Sequence, residues 1–219
     1  MNAWQKKTVF RRALLRPGRL GLFVISLGGA LLANVVLNLF WPAVSLLIVG
    51  VMGSLVWLAV DLSRPGWIVV ALYGELATGS GLPARLQSPV RKVSRTFNLF
   101  WSKTKQLDDA TIAPLRKEAF RSMLTLANRL HAVGLTARLT RESRRSGSSD
   151  EKGRVLIEQT QGEVEEFLAK LHELARLVTE VRLAGADSAG ERLSAATEEM
   201  AEWKNALDEA REEMNDLGY

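Results

Sequence analysis

Residues 20–40 carry no ionisable side chain, and a second uncharged run over 42–60 closes at Asp61. Each is long enough to cross a hydrocarbon core of about 30 Å, and two such runs in succession are foreign to a soluble core. Only Trp41-Pro42 separates them, with Asn38 and Phe40 adjacent. So short a link predicts an antiparallel transmembrane hairpin, with Pro42 in the first turn of the second helix and Trp41 at the water–lipid boundary. A cleaved signal peptide is the rival reading of the first run. The length of the run and the lack of a small-x-small cleavage site before the second oppose it.

Beyond the hairpin the pattern changes period. In residues 119–137, Ala119, Met123, Leu126, Leu130, Val133 and Ala137 fall at alternating steps of four and three. Ile157, Val164, Leu171 and Val178 form a seven-residue series with Phe167, Leu174 and Val181 beside it. Leu193, Met200, Leu207 and Met214 form another, accompanied by Ala196, Trp203, Ala210 and Leu217. Such spacing predicts three helices, each with a narrow apolar seam that must be buried on other helices. The packing seam of the last helix is placed at Leu193, Met200, Trp203, Leu207 and Met214. Residues 144–153 (RRSGSSDEKG) predict a flexible loop. Residues 184–188 (AGADS) predict a short turn capped by Asp187 or Ser188, and hence an antiparallel helical hairpin. The same seams serve pairing within one chain or between copies.

The predicted fold class is therefore all-α: a two-helix transmembrane hairpin followed by a cytoplasmic antiparallel helical bundle or coiled-coil hairpin. Four regions follow: a basic N-terminus (1–19), the hairpin (20–62), a basic, aromatic juxtamembrane connector (63–109) and the helical bundle (110–219).

Charge sharpens this division. Through residue 107 there are thirteen Lys or Arg against two acids; from 108 onward, sixteen against twenty-two. The basic side thus lies beside the predicted spans, where anionic head groups attract it, and the net charge of +5 is no sign of nucleic-acid binding. Lys6, Lys7, Arg11, Arg12, Arg16 and Arg19 precede the first span, Arg64, Arg85, Arg91, Lys92 and Arg95 follow the second, and the connecting turn has none. The positive-inside rule puts both termini in the cytoplasm, as a multi-pass protein of the inner membrane. Residues 110–145 carry eight Lys or Arg and two acids, and the last helix nine acids and three Lys or Arg, so the basic helix is expected to pack against the acidic hairpin.

The connector holds two ambiguous pieces. Residues 67–73 are apolar but too short to span, and suit either an interfacial segment or a helix packed on the bundle. In 89–106, Val90, Val93, Phe97, Phe100 and Trp101 share one helical face while Arg91, Lys92, Arg95, Lys103 and Lys105 supply cations without an acid. A basic amphipathic helix with bulky aromatics suits a membrane surface. A core stripe with solvated charges fits equally well. Membrane-surface contact is assigned to Arg91, Lys92, Arg95, Phe97, Phe100, Trp101, Lys103 and Lys105.

Within the spans, Ser26, Gly29, Ala30 and Ala33, then Gly50, Gly53 and Ser54, recur at helical spacing and allow close approach of helices in lipid. Packing inside the hairpin is the ordinary role, homo-oligomerisation the sharper one. Asn34 is expected to bond across the hairpin, and no charge inside a span suggests an ion path.

Little chemistry is legible. The chain has no cysteine, which removes disulfides, thiolate metal sites and cysteine nucleophiles. His131 and His172 stand alone on their helices. The acidic groups 163, 165, 166 and 198, 199, 202 are best explained as solvated helix faces. There is no P-loop, dinucleotide glycine pattern or nucleophile elbow. No enzyme, cofactor or metal is expected. The expected partners are the bilayer with its anionic inner-leaflet lipids, and a cytoplasmic protein or a second copy of the chain.

The layout of basic N-terminus, hairpin at 20–60, basic linker and helical run at 115–217 resembles the XpaC-type proteins, named for 5-bromo-4-chloroindolyl phosphate hydrolysis and found alongside toxic-anion resistance proteins. The resemblance is one of architecture and carries no functional residue. It implies a membrane-bound accessory protein of envelope or toxic-anion stress resistance, acting as a scaffold or adaptor for a cytoplasmic partner. The alternative is a lipid-binding or membrane-remodelling protein acting through 89–106.

Overall fold

The computed structural model describes residues 1–35, 40–78, 81–104, 107, 109–145, 151–184 and 190–216, and these form eight helices with no strand among them. Side chains at several of the segment ends, Met214 among them, fall outside the described residues, as does Lys105. The chain divides into two compact units, residues 1–71 and 72–219, with the division inside the fourth helix.

The first unit begins with α1 (Ala3–Leu14). Asn2 closes its N-terminus by a capping box: the Asn2 side chain accepts from the Gln5 backbone N–H at 2.9 Å, and the Gln5 side chain accepts from the Asn2 backbone at 3.1 Å. Two of the N–H groups that a helix start leaves unpaired are thereby satisfied. α2 (Pro17–Val35) starts on a proline, whose fixed φ suits the first helical position, and α3 (Phe40–Ser63) follows. Trp41 and Pro42, expected to link the two runs, lie in the first turn of α3; Asn38, expected beside the link, lies outside the described residues.

α2 and α3 pack antiparallel along their small residues. A Cβ on Gly29 would meet Leu46 at 3.7 Å and one on Gly53 would meet Leu22 at 3.8 Å, while Ala30, Ala33 and Ala43 form a small buried cluster with Leu47 against it. This is the packing role expected of the stripe. Asn34, in contrast, is exposed and makes no bond across the hairpin among the described residues. Of the two helices, only α3 is long and apolar enough to cross a membrane, and the apolar part of α2, Leu20–Val35, is shorter. At 1.5 Å per residue, α3 reaches about 36 Å and that stretch about 24 Å.

The second unit takes the C-terminal half of α4 (Pro65–Thr78) and then α5 (Ala84–Thr104), α6 (Asp109–Arg145), α7 (Glu151–Ala184) and α8 (Gly190–Asp216). Gly81 enters the bundle with φ +72, a backbone conformation that favours glycine, and a Cβ there would also meet the Arg138 side chain. From α5 onward, consecutive helices run antiparallel. Trp101 meets Phe120 across α5 and α6, and Phe167 stacks on Trp203 across α7 and α8 with ring centroids 4.3 Å apart.

The most extensive packing nevertheless joins alternate helices, α5 with α7 and α6 with α8. Those pairs are parallel: Thr96 lies 3.4 Å from His172 and Lys103 donates to Thr179 at 3.0 Å, a shift of seven residues on both helices. The expected hairpin of α7 and α8 exists, but each of its helices lays its seam chiefly on a helix that precedes the pair.

The seams form the core. Met123, Leu126, Leu130 and Val133 of α6, Val164, Phe167 and Leu171 of α7, and Leu193, Met200, Trp203 and Leu207 of α8 are all buried. They meet the seams of this same chain. Residues 67–73, left open by the sequence, lie in α4; Leu72 and Tyr73 are core residues of the second unit, and the Tyr73 hydroxyl donates to the Met123 carbonyl at 3.0 Å. Burial raises the Tyr73 pKa well above the ordinary phenol value, so it remains a donor.

Candidate functional site

Each unit contains one polar arrangement that its apolar packing positions. In the first, Arg16 at the end of the α1–α2 turn donates from Nη1 to both oxygens of Asp61, at 2.8 and 2.9 Å. Asp61 is fully buried, and Arg16 is partly exposed. Its guanidinium also lies 5.9 Å from the ring of Trp57 and 5.3 Å from that of Trp67, within the range of cation–π attraction. A carboxylate can close the long apolar helix α3 because this arginine supplies its counter-charge. Read separately, Arg16 was one of six N-terminal cations and Asp61 the end of a run. Their pairing across 45 residues had no sequence signal beyond opposite charge.

In the second unit, Arg129 of α6 is buried and pairs with Glu163 of α7. Burial raises the Glu163 carboxyl above its ordinary value, against the opposite pull of the Arg129 guanidinium. Glu163 therefore leaves the solvated cluster assigned to it, because the α6 seam brings a charged group to it. Glu165, Glu166, Glu198, Glu199 and Glu202 are exposed, as a solvated face requires. His131 is half-buried; burial lowers its pKa first, and the nearby Arg138 charge lowers it further. His172 is exposed and reaches Thr96. Arg116 donates to the Thr104 carbonyl at the C-terminus of α5, tying α5 to α6.

The connector's predicted surface residues divide. Arg91, Lys92 and Arg95 are exposed. Phe97 and Phe100 are wholly buried, and Trp101 is half-buried and stacks on Phe97 at 5.5 Å. Lys103 is committed to Thr179. Phe97 and Phe100 of the aromatic stripe are thus core of the bundle, the other reading its pattern allowed, while Trp101 keeps part of its ring exposed. The reason is the apolar face of α7 alongside, which the pattern of α5 alone does not reveal.

No family model matches this chain, and neither a curated protein nor a solved structure matches it.

Two surfaces stand out among the described residues. One is the exterior of α2 and α3. Ile25, Leu32, Val35, Trp41, Val49 and Val56 are each more than half exposed, and exposed apolar side chains gathered along two helices mark an interaction surface. The other is the outside of the bundle. Between α7 and α8 it carries a shallow groove of about 190 Å³ with Leu174 and Leu177 on one side, Ala196 and Met200 on the other, and Lys170, Glu173, Arg192 and Glu199 among its lining residues.

Proposed function

We propose that this protein is a membrane-anchored helical scaffold. The α2–α3 hairpin crosses the inner membrane with both termini on the cytoplasmic side, and the bundle recruits a cytoplasmic protein or a second copy of the chain. The observation that carries this reading is the contrast between the units. α3 wears its apolar side chains outside, whereas α5 to α8 bury theirs. Hydrocarbon is the solvent that suits the first surface and water the second. α3 alone has the length of a span; with α2 tilted less and bounded by Arg16 and Phe40, local thinning of the bilayer accommodates the shorter partner.

Lipid engagement through 89–106 has less support, since burial of Phe97 and Phe100 leaves that segment only Arg91, Lys92 and Arg95 to offer. The setting of toxic-anion resistance rests on layout resemblance, and tellurite sensitivity of a strain lacking the chain tests it. The scaffold itself is tested by crosslinking in native membranes followed by mass spectrometry. Crosslinks from the exposed acids of α8 to one cytosolic protein support the adaptor form. Crosslinks to a second copy alone support self-assembly, and none beyond the chain itself contradicts both.

A further inference from the structure

α1 buries Gln5, Thr8, Val9 and Ala13 and leaves Lys6, Lys7, Phe10, Arg11 and Leu14 exposed. Beside it lies a groove of about 420 Å³ lined by Met1, Val9, Phe10, Leu62, Ile68 and the two lysines Lys6 and Lys7. Two of these residues, Leu62 and Ile68, stand at the end of α3 and the start of α4, so the groove opens at the foot of the apolar helix. Lys6 and Lys7 are exposed and make no ion pair among the described residues. No carboxylate precedes Asp61 in the sequence, and Asp61 is held by Arg16.

We infer that this groove binds an anionic phospholipid. The Lys6 and Lys7 ammonium groups take the head-group phosphate, and an acyl chain runs along Val9, Phe10, Leu62 and Ile68 onto the exterior of α3. Both halves of the ligand are needed to explain the groove. Free phosphate has no use for apolar walls, and a neutral lipid leaves two cations unmatched. Continuity with the exposed apolar side of α3 favours a lipid over a protein segment, because the same solvent already covers that helix. The inference rests on α3 being a membrane span, and it extends that reading to one named binding site.

The test is native mass spectrometry of the full chain released from nanodiscs of equal phosphatidylglycerol and phosphatidylcholine. Wild type is compared with Lys6→Gln/Lys7→Gln and with Arg91→Gln/Lys92→Gln, an exposed cationic pair elsewhere in the chain. Wild type is expected to retain phosphatidylglycerol over phosphatidylcholine, and the α1 pair of substitutions to lower that preference about tenfold. The control should keep it. Equal retention of both lipids by wild type, an unchanged preference in Lys6→Gln/Lys7→Gln, an equal loss in the control, or displacement of the lipid by inorganic phosphate alone overturns the site. Failure of the span is read separately: wild type that alkaline carbonate strips from membranes removes the anchor itself, whereas an inserted chain without lipid preference removes only the groove.

Discussion

Gly50 of α3 lies directly on Ser26 of α2: a Cβ at position 50 would fall 2.4 Å from the Ser26 Cβ and 2.3 Å from its Oγ. Ser26 returns its hydroxyl to the Leu22 carbonyl at 2.9 Å, so no polar group is stranded at the contact. Close approach of backbones is how helices gain packing energy where no water is present to drive them together.

Gly50→Ala should therefore separate α2 from α3 and lower the thermal stability of the detergent-solubilised protein by about 1–3 kcal/mol, an overpacking cost. Gly28→Ala is the matched comparison, since a Cβ there meets nothing within 4 Å. It should be neutral or stabilising by about 0.5–1 kcal/mol, through helix propensity alone. Thermal melts of the two variants check this, and equal effects would speak against the contact.

Asp61 is buried with Arg16 as its partner, and removing either charge alone should cost more than removing both. Arg16→Leu takes from a buried carboxylate the guanidinium that donates to both of its oxygens. About 2–3 kcal/mol is expected, below the cost in a fully buried pair because Arg16 is partly exposed. Arg16→Leu/Asp61→Leu should recover most of it. A double-mutant cycle with no coupling would show that the pair contributes nothing to the hairpin's foot.

The bundle should yield most at Trp203, which is buried in the α8 seam and stacks on Phe167 at 4.3 Å. Trp203→Ala is expected to cost about 3–5 kcal/mol, while Glu199→Ala, on the exposed side, should stay within about 0.5 kcal/mol. Chemical denaturation followed by circular dichroism measures both.

His131 gives the bundle a pH dependence of known sign. Its folded pKa lies below the ordinary value of 6.5, so the unfolded chain binds the proton more readily. Its contribution is present above about pH 6.5 and is lost as pH falls toward the folded value. Unfolding midpoints should drop as pH falls through about 6.5, and His131→Gln should flatten that part of the curve. Glu163, raised by burial, acts in the opposite direction: its contribution falls as pH rises above the ordinary carboxylate range. The His131→Gln difference, rather than the raw slope, is the quantity to measure.

Much of this architecture could be read from periodicity. The seven-residue series named Val164, Leu171, Leu193, Met200 and Leu207 as one side of each helix, and all are buried. The small residues of the hairpin likewise identified its packing face. Periodicity says which face is buried but not against what. Hence the parallel pairing of α5 with α7 and of α6 with α8 had no sequence signal, and neither did the choice between membrane and core for Phe97 and Phe100. The polar pairs Arg16–Asp61 and Arg129–Glu163 were hidden for the same reason: their partners are 45 and 34 residues apart. Basic α6 packs on both helices of the acidic hairpin, more extensively on α8 than on α7. The ion pair of its buried Arg129 goes to α7.

The central claim is that the hairpin crosses a membrane with the bundle and the foot of α3 on one side. A chain without cysteine lends itself to single-cysteine labelling. Trp41→Cys, Ser63→Cys and Glu199→Cys each place one thiol at an exposed position, and a membrane-impermeant maleimide is applied to intact spheroplasts and again after permeabilisation. Labelling of Trp41→Cys from outside, with Ser63→Cys and Glu199→Cys reacting only after permeabilisation, is the predicted result. Outside labelling of Glu199→Cys, or protection of all three until permeabilisation, would contradict it.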